Sequence, residues 1–287
     1  MSEINLIVDN EEIQVEEGAT ILDAAKELGI NIPTLCYHPD LTIHGACRVC
    51  VVEETESGEL LASCCTPAQD GMKINTRSAR ARKARRRNVK LLLANHPNDC
   101  LGCDRNGSCE LQDITYSLGI NSDDMEELKG ETRENEIDDT GPALKRDPNK
   151  CILCGRCVRV CEEVQGVSAL QFSGRGFDTV VQTAFDMPQS EINCANCGQC
   201  ATVCPVGAIT EISEIDRVWN AIEDEDKHVI VQTAPAIQAA LGEEFGYEPG
   251  TVVTGKLVAS LRKIGFDKVF STEFTADLTI MEEGNEL

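Results

Sequence analysis

Two stretches decide the architecture of this chain: KCILCGRCVRVC at 150–161 and NCANCGQCATVCP at 193–205. Each carries cysteines in the order C-x2-C-x2-C-x3-C. The first holds Cys151, Cys154, Cys157 and Cys161; the second holds Cys194, Cys197, Cys200 and Cys204, then Pro205. Such a run supplies thiolates to a 4Fe–4S cluster, and in a two-run arrangement the fourth cysteine crosses to the other cluster. The expected sets are therefore Cys151, Cys154, Cys157 with Cys204, and Cys194, Cys197, Cys200 with Cys161. Crossing ties the two halves into one pseudo-symmetric unit, a bacterial-type domain with two 4Fe–4S clusters.

Two further sets precede the repeat. Cys36, Cys47, Cys50 and Cys64 are spaced C-x10-C-x2-C-x13-C. A 2Fe–2S cluster needs four thiolates on two irons, drawn here from a loop and one distant position. Gly45 in that loop allows close backbone approach to the sulfides. Cys65 is an alternative to Cys64, although the spacing favours Cys64; otherwise it reads as a small buried apolar side chain. The other set is His96, Cys100, Cys103 and Cys109 in HPNDCLGCDRNGSCELQ. Three cysteines leave one iron of a 4Fe–4S cluster without a protein ligand, and a neutral imidazole nitrogen of His96 fits the gap. These sets use fifteen of the 16 cysteines, and none follows Cys204.

Composition agrees. Aromatic residues make up 4% of the 287 residues, little for a large apolar core. Small modules of this kind hold together through metal–ligand bonds, because metal binding is coupled to folding. The start, MSEINLIVDN, has no basic n-region or apolar h-region, so no signal peptide is read there. No apolar run is long enough to span a membrane. A cytoplasmic, reducing location follows as the expectation, in which such cysteine arrays are metal ligands rather than disulfides. The net charge of -23 argues for solubility and against nucleic-acid or anionic-membrane partners. A basic run opposes the trend: Arg77, Arg80, Arg82, Lys83, Arg85, Arg86, Arg87 and Lys90. The plainer reading is a helix from Ser78 to Ala94 with its apolar face at Val89, Leu92 and Leu93. The sharper one is a docking patch for an acidic redox partner.

Local patterns supply elements. INLIVD and EIQVE alternate around Asp9-Asn10 and predict a hairpin. Thr20 with Asp23 predicts a capped helix from Ile21 to Leu28, stopped by Gly29. Ser122 to Asp139 is acidic and without periodicity, and reads as a linker. After it, HVIVQTA predicts a strand, Pro235 a helix start, Gly255 to Ile264 a second helix, FDKVFST a second strand and TADLTIMEE a third helix. Strand–helix–strand alternation predicts a parallel sheet. With two strands it is incomplete, and Val229, Val231 and Val269 are candidate apolar positions for cover by a partner.

Together the first set, the histidine set, the repeat, and the tail segments QTAPAIQAALGEEFG and GTVVTGKLVASLRKIGFDKVFSTEFTADLTIMEEGNEL resemble the N-terminal electron-transfer region of the catalytic subunit of multi-cluster FeFe hydrogenases. The resemblance extends to the NAD(P)-linked, electron-bifurcating type, and the front of the chain is also similar to the large iron–sulfur subunit of complex I. The resemblance implies an α+β multidomain chain. Residues 1–76 form a β-grasp 2Fe–2S domain, 77–121 a helical domain with a histidine-ligated 4Fe–4S cluster, and 122–146 an acidic linker. Residues 147–215 form a two-cluster 4Fe–4S ferredoxin domain, and 216–287 an incomplete α/β segment. The family's active-site cysteine motifs, TSCCP, MPCxxK and ExMxCxxGC, do not occur in this sequence. No catalytic residue is therefore expected, and no nucleotide fingerprint is found.

The expectation is an electron-relay subunit with one 2Fe–2S and three 4Fe–4S clusters. Its implied partners are a flavin- and NAD-binding diaphorase subunit, a small thioredoxin-like 2Fe–2S subunit, ferredoxin, and a nickel–iron hydrogenase or other reductase subunit. Electrons are expected to follow chain order. The alternatives are the N-terminal part of a true FeFe hydrogenase and an electron-transfer subunit of a formate dehydrogenase-type complex. A redox sensor or scaffold needs one labile cluster and leaves four unexplained. The chain is expected to be a natural short subunit rather than a piece of a longer one.

Overall fold

The computed structural model describes residues 2–128 and 130–286. They fall into two compact units, Met1–Ile212 and Ser213–Leu287. The first opens with the expected hairpin, β1 (Glu3–Val8) against β2 (Glu11–Glu16), in the register Val8↔Glu11. Helix α1 (Ile21–Glu27) follows, with the Thr20 hydroxyl accepting from the Asp23 amide and the Asp23 carboxylate accepting from the Thr20 amide. Two of the orphan amides of the helix start are satisfied in this way. The sheet is completed by β3 (Val51–Glu54), β4 (Leu60–Ala62) and β5 (Lys73–Asn75), in the order β2-β1-β5-β3-β4. β1 and β5 are parallel and the other pairs antiparallel. Leu6, Val8, Ile21, Leu22, Ala25, Val52 and Ile74 form the apolar core between sheet and helix.

Helix α2 (Ala79–Ala94) has Ser78 as its cap, accepting from the Ala81 amide, as the sequence predicts. Its inner face buries Val89 and also Arg85, a charge that the amphipathic pattern placed outside. Helix α3 (Glu110–Ser117) comes next. The acidic stretch departs from a free linker. Asp123–Leu128 forms a 3-10 turn, and Asp124 accepts from Arg86 at 2.9 Å and Lys90 at 2.6 Å. Opposite charge binds this stretch to the basic helix. The end of the expected linker is a strand: β6 (Leu144–Arg146) pairs with β9 (Ile209–Glu211), bringing the two ends of the repeat region together.

Between them lie α4 (Arg156–Arg159), the short hairpin β7 (Gln171–Ser173) and β8 (Val180–Gln182), and α5 (Gln199–Thr202). After α4 the chain widens into a π turn over Val160–Val164, closed by the Gln165 amide on Val160 O. Cys161 sits in this turn. Such turns recur at functional sites.

The second unit begins with α6 (Ile215–Glu223), a helix the sequence reading did not include. Then come β10 (Ile230–Thr233), α7 (Pro235–Glu244), α8 (Thr254–Ile264), β11 (Lys268–Ser271) and α9 (Thr272–Glu286). β10 and β11 pair in parallel, Val231 opposite Val269. The exposed apolar strand positions are not those expected. Val229, Val231 and Val269 are half-buried, whereas Ile230 and Phe270 on the opposite face are exposed.

Candidate iron–sulfur sites

The first set is assembled by the sheet. Cys36 lies beyond α1, Cys47 and Cys50 on the loop entering β3, and Cys64 just after β4; all four are buried. The Cys47 amide donates to Cys36 Sγ at 3.5 Å. Hydrogen bonds with the Cys47 and Cys64 thiols push the Cys36 pKa far down, and the same contacts push Cys47 and Cys64 up. A hydrogen bond with Cys64 brings Cys50 down to about 6. Thiol hydrogen bonds thus link Cys36 to Cys47 and Cys64, and Cys64 to Cys50. Cys65 stands apart: half-buried, it bonds weakly to Ala62 O at 3.6 Å and lies 4.0 Å from Arg48 Nη1. A Cβ on Gly45 would come within 3.3 Å of the Cys65 sulfur, so the close approach at Gly45 serves this residue. Arg85 donates from Nε to Val51 O at 2.8 Å, and burial lowers its pKa.

The second set is gathered at the end of α2. His96 Nε2 is buried and hydrogen-bonds nothing among the described residues. Burial pushes the His96 pKa down, so the ring is neutral near pH 7 with a nitrogen lone pair available. Cys100 is exposed in the turn Cys100–Gly102; Cys103 and Cys109 are half-buried. Burial raises the Cys109 pKa, with smaller contributions from the Cys103 and Cys100 charges. The loop after Cys204 packs directly on this set. The Glu110 amide donates to Pro205 O at 3.0 Å, and Arg105 donates to Ala201 O and Cys204 O at 2.8 and 2.9 Å. Gly207 passes so near that a Cβ there would lie 2.7 Å from Cys103 Sγ.

The repeat supplies the other two. Cys151, Cys154, Cys157 and Cys204 line one pocket with an empty volume of 420 Å³. Cys161, Cys194, Cys197 and Cys200 line another of 580 Å³. The structure thus groups the fourth cysteine of each run with the first three of the other. Burial drives the thiols up: Cys151 to about 11, Cys154 and Cys200 to about 12, and Cys157 well above its ordinary value.

Between the sets lie buried arginines. Arg159 donates from Nη2 to Cys36 O at 2.7 Å and Cys154 O at 3.4 Å, and from Nη1 to Thr42 O. One guanidinium therefore spans the first set and the first run of the repeat. His44 stacks on Phe172 with ring centroids 5.7 Å apart, closing the same seam. Arg156 forks onto Glu110 at 2.6 and 2.9 Å, joining the repeat to the histidine set. Arg156 and Arg159 stand inside the cysteine motif and Arg85 inside the basic run, whereas Arg146 carries no such signal. Among the described residues, no three His, Cys, Asp or Glu side chains converge closely enough to hold a single metal ion. No described helix is long and apolar enough to cross a membrane.

Fold and cysteine placement define a multidomain protein of the ferredoxin-like iron–sulfur class. Four family models match it in order: "2Fe-2S iron-sulfur cluster binding domain" over 1–79, "NADH-ubiquinone oxidoreductase-G iron-sulfur binding region" over 85–123, "NADH-quinone oxidoreductase subunit 3, ferredoxin-like domain" over 141–210, and "Iron only hydrogenase large subunit, C-terminal domain" over 227–287. Among curated proteins, the NADP-reducing hydrogenase subunit HndD of Solidesulfovibrio fructosivorans is 48% identical over 100% of this chain and 49% of its own length. Iron hydrogenase 1 of Clostridium pasteurianum is 36% identical over 98% of this chain and 49% of its own length. The chain spans about half the length of these two relatives. A chain in the crystal structure of an NAD+-reducing NiFe-hydrogenase in the H2-reduced state is 34% identical, with a TM-score of 0.68, covering 73% of this chain and 88% of that one. The protein belongs to the family of iron–sulfur subunits found in NAD(P)-linked hydrogenases, whose domains are shared with NADH-quinone oxidoreductases.

Proposed function

We propose that this chain is an electron-relay subunit of a cytoplasmic NAD(P)-linked hydrogenase or related oxidoreductase complex, holding one 2Fe–2S and three 4Fe–4S clusters. The observation that carries the proposal is the pairing of pockets in the repeat. Each is lined by three cysteines of one run and the fourth of the other, as crossed two-cluster ligation requires. The donor sets fit the groups. Cys36, Cys47, Cys50 and Cys64 would hold the 2Fe–2S cluster beside a β-grasp sheet. His96, with its lone buried nitrogen, would join Cys100, Cys103 and Cys109. Each bound cluster would supply a one-electron carrier.

The chain's own residues set the route. Arg159 bridges the backbone of Cys36 and Cys154, while Arg105, Pro205 and Gly207 join the Cys204 loop to Cys103 and Cys109. The set of Cys151, Cys154, Cys157 and Cys204 therefore adjoins both earlier sets. We replace the chain-order path with a junction at this set, leading on to the set of Cys194, Cys197, Cys200 and Cys161. Entry at the first set suits a flavin and NAD-binding diaphorase or a small 2Fe–2S subunit. Exit leads toward ferredoxin or a hydrogen-activating subunit, nickel–iron or other, and electron bifurcation is the mode proposed for the complex. Domain limits at 1–76, 77–121, 122–146, 147–215 and 216–287 are proposed with it.

Anaerobic reconstitution with iron and sulfide analysis tests the ligation, with contents of one 2Fe–2S and three 4Fe–4S clusters expected. A second reading, that the chain is the front of an FeFe hydrogenase, is favoured by the match over residues 227–287. Hydrogen evolution from a reduced dye by the chain alone would support it against the relay.

A further inference from the structure

We infer that Arg146 serves both clusters of the repeat as a shared hydrogen-bond donor and buried positive charge, and that it raises the reduction potential of each. The inference rests on the cluster-binding reading above and goes beyond it.

Arg146 ends β6 opposite Ile209 of β9 and is 7% exposed. It lines the pocket of Cys151, Cys154, Cys157 and Cys204, and also the pocket of Cys161, Cys194, Cys197 and Cys200. Its Nη2 reaches Asp138 Oδ2 at 3.0 Å. Its Nε and Nη1 are buried and hydrogen-bond nothing among the described residues. Other arginines beside the cysteine sets leave a single such nitrogen: Arg85, Arg105, Arg133 and Arg156. Arg146 leaves two, and of these residues it is the one that lines both pockets.

A guanidinium has five N–H donors, no acceptor, and a charge that is never lost in proteins. Buried donors are expensive to leave unmade, and a buried cation needs an anionic neighbour. Asp138 supplies one anion on one nitrogen. The two remaining nitrogens suit acceptor-rich anionic groups, which a thiolate-bound cluster with its sulfides is. Cluster potentials respond to net charge and to hydrogen bonds at sulfur. An added electron makes a cluster more negative, so a cation beside it favours the reduced form. With one residue on two pockets, both couples must respond together. Asp138 opposes this effect by neutralising part of the charge.

The test is an EPR-monitored redox titration of the full chain, reconstituted anaerobically, with the variants R146Q, R146K and D138N. Iron and sulfide contents are measured first. Wild-type contents short of the repeat's two clusters overturn the cluster-binding reading and this inference with it. With clusters present, R146Q is expected to lower both couples of the repeat at least tenfold in reduction equilibrium, about 59 mV for one electron. D138N is expected to raise both, and R146K to fall between R146Q and wild type. The couples at Cys36–Cys64 and at His96 serve as controls and should not move. Unmoved potentials in R146Q, a shift in one couple only, or a D138N shift in the same direction as R146Q overturns the inference. Should R146Q lose its clusters, D138N decides alone: unmoved or lowered potentials overturn it.

Discussion

The two copies of C-x2-C-x2-C-x3-C begin alike and end in different surroundings. Leu153 and Asn196 share a positive φ, 55° and 50°, and Gly155 and Gly198 follow at 70° and 78°, each capping a one-turn helix. Cys151 and Cys194 each accept a hydrogen bond from the amide two residues on, at 3.4 Å in both. The local backbone is thus a property of the motif. Its burial is not. Cys154 and Cys157 are buried, whereas Cys197 is exposed and Cys194 and Cys200 are half-buried. The first copy is covered by the loop of Thr42 and His44 and by Glu110.

Replacing one cysteine in each copy should break this comparison most severely. Cys154→Ala is expected to remove one 4Fe–4S equivalent and to cut electron flow from the first set to the second pocket, with the 2Fe–2S EPR signal intact. Cys197→Ala should remove one equivalent and leave reduction of the other clusters in place. Iron analysis checks the cluster losses, and EPR after reduction by NADH through the diaphorase partner checks the flow; equal losses of flow would remove the distinction between junction and end.

The capping glycines sharpen it next. A Cβ in the left-handed region costs roughly 1–2 kcal/mol at either site. At Gly155 it would also meet Phe172 Cζ at 3.1 Å and His44 Nε2 at 3.2 Å, while at Gly198 it meets nothing within 4 Å. With overpacking of about 1 kcal/mol or more, Gly155→Ala should destabilise by about 2–3 kcal/mol and Gly198→Ala by about 1–2. Denaturant unfolding of the two variants measures the difference.

Glu110→Ala leaves buried Arg156 without its carboxylate. Breaking a fully buried pair costs about 3–5 kcal/mol. The Glu110 side chain is 44% exposed, so about 2 kcal/mol is expected. Unfolding midpoints would show it, with no change in the second pocket's EPR signal.

The smallest effect within the working pH range concerns the metal-free chain. Burial raises the thiols of Cys151, Cys154 and Cys200 from 9.0 to about 11, 12 and 12. The folded chain keeps these protons longer than the unfolded one. This contribution is complete below pH 9 and is lost as pH rises through about 11 to 12. The cluster-loaded protein should behave oppositely, weakening toward acid as protons compete with iron for the thiolates. Thermal melts of both forms across pH check the two signs.

Much of this was legible from residue order. The Thr20–Asp23 cap, the Asp9-Asn10 hairpin, the Ser78-capped helix and the parallel strands of the tail all follow from short-range chemistry, and they formed within a residue or two of the expected limits. The grouping of cysteines in the repeat follows the two-run pattern, in which the fourth cysteine of each run crosses to the other cluster. Less legible were contacts between residues far apart in sequence. The acidic stretch read as a linker because composition does not show that Asp124 meets Arg86 and Lys90. Ile230 and Phe270 proved more exposed than the valines beside them because a two-stranded sheet leaves its burial to neighbouring helices.

By itself the sequence determined the cysteine runs, their order and the local turns that present them, since each run and turn depends on residues within a few positions of one another. Tertiary structure alone decided which sets adjoin, which copy of the motif is buried, and where the arginines stand. Arg159 meets Cys36 across 123 positions, and Arg146 meets Ile209 through strand pairing. Such contacts arise when whole elements pack, and burial then changes the energy of every charge and thiol that the packing encloses.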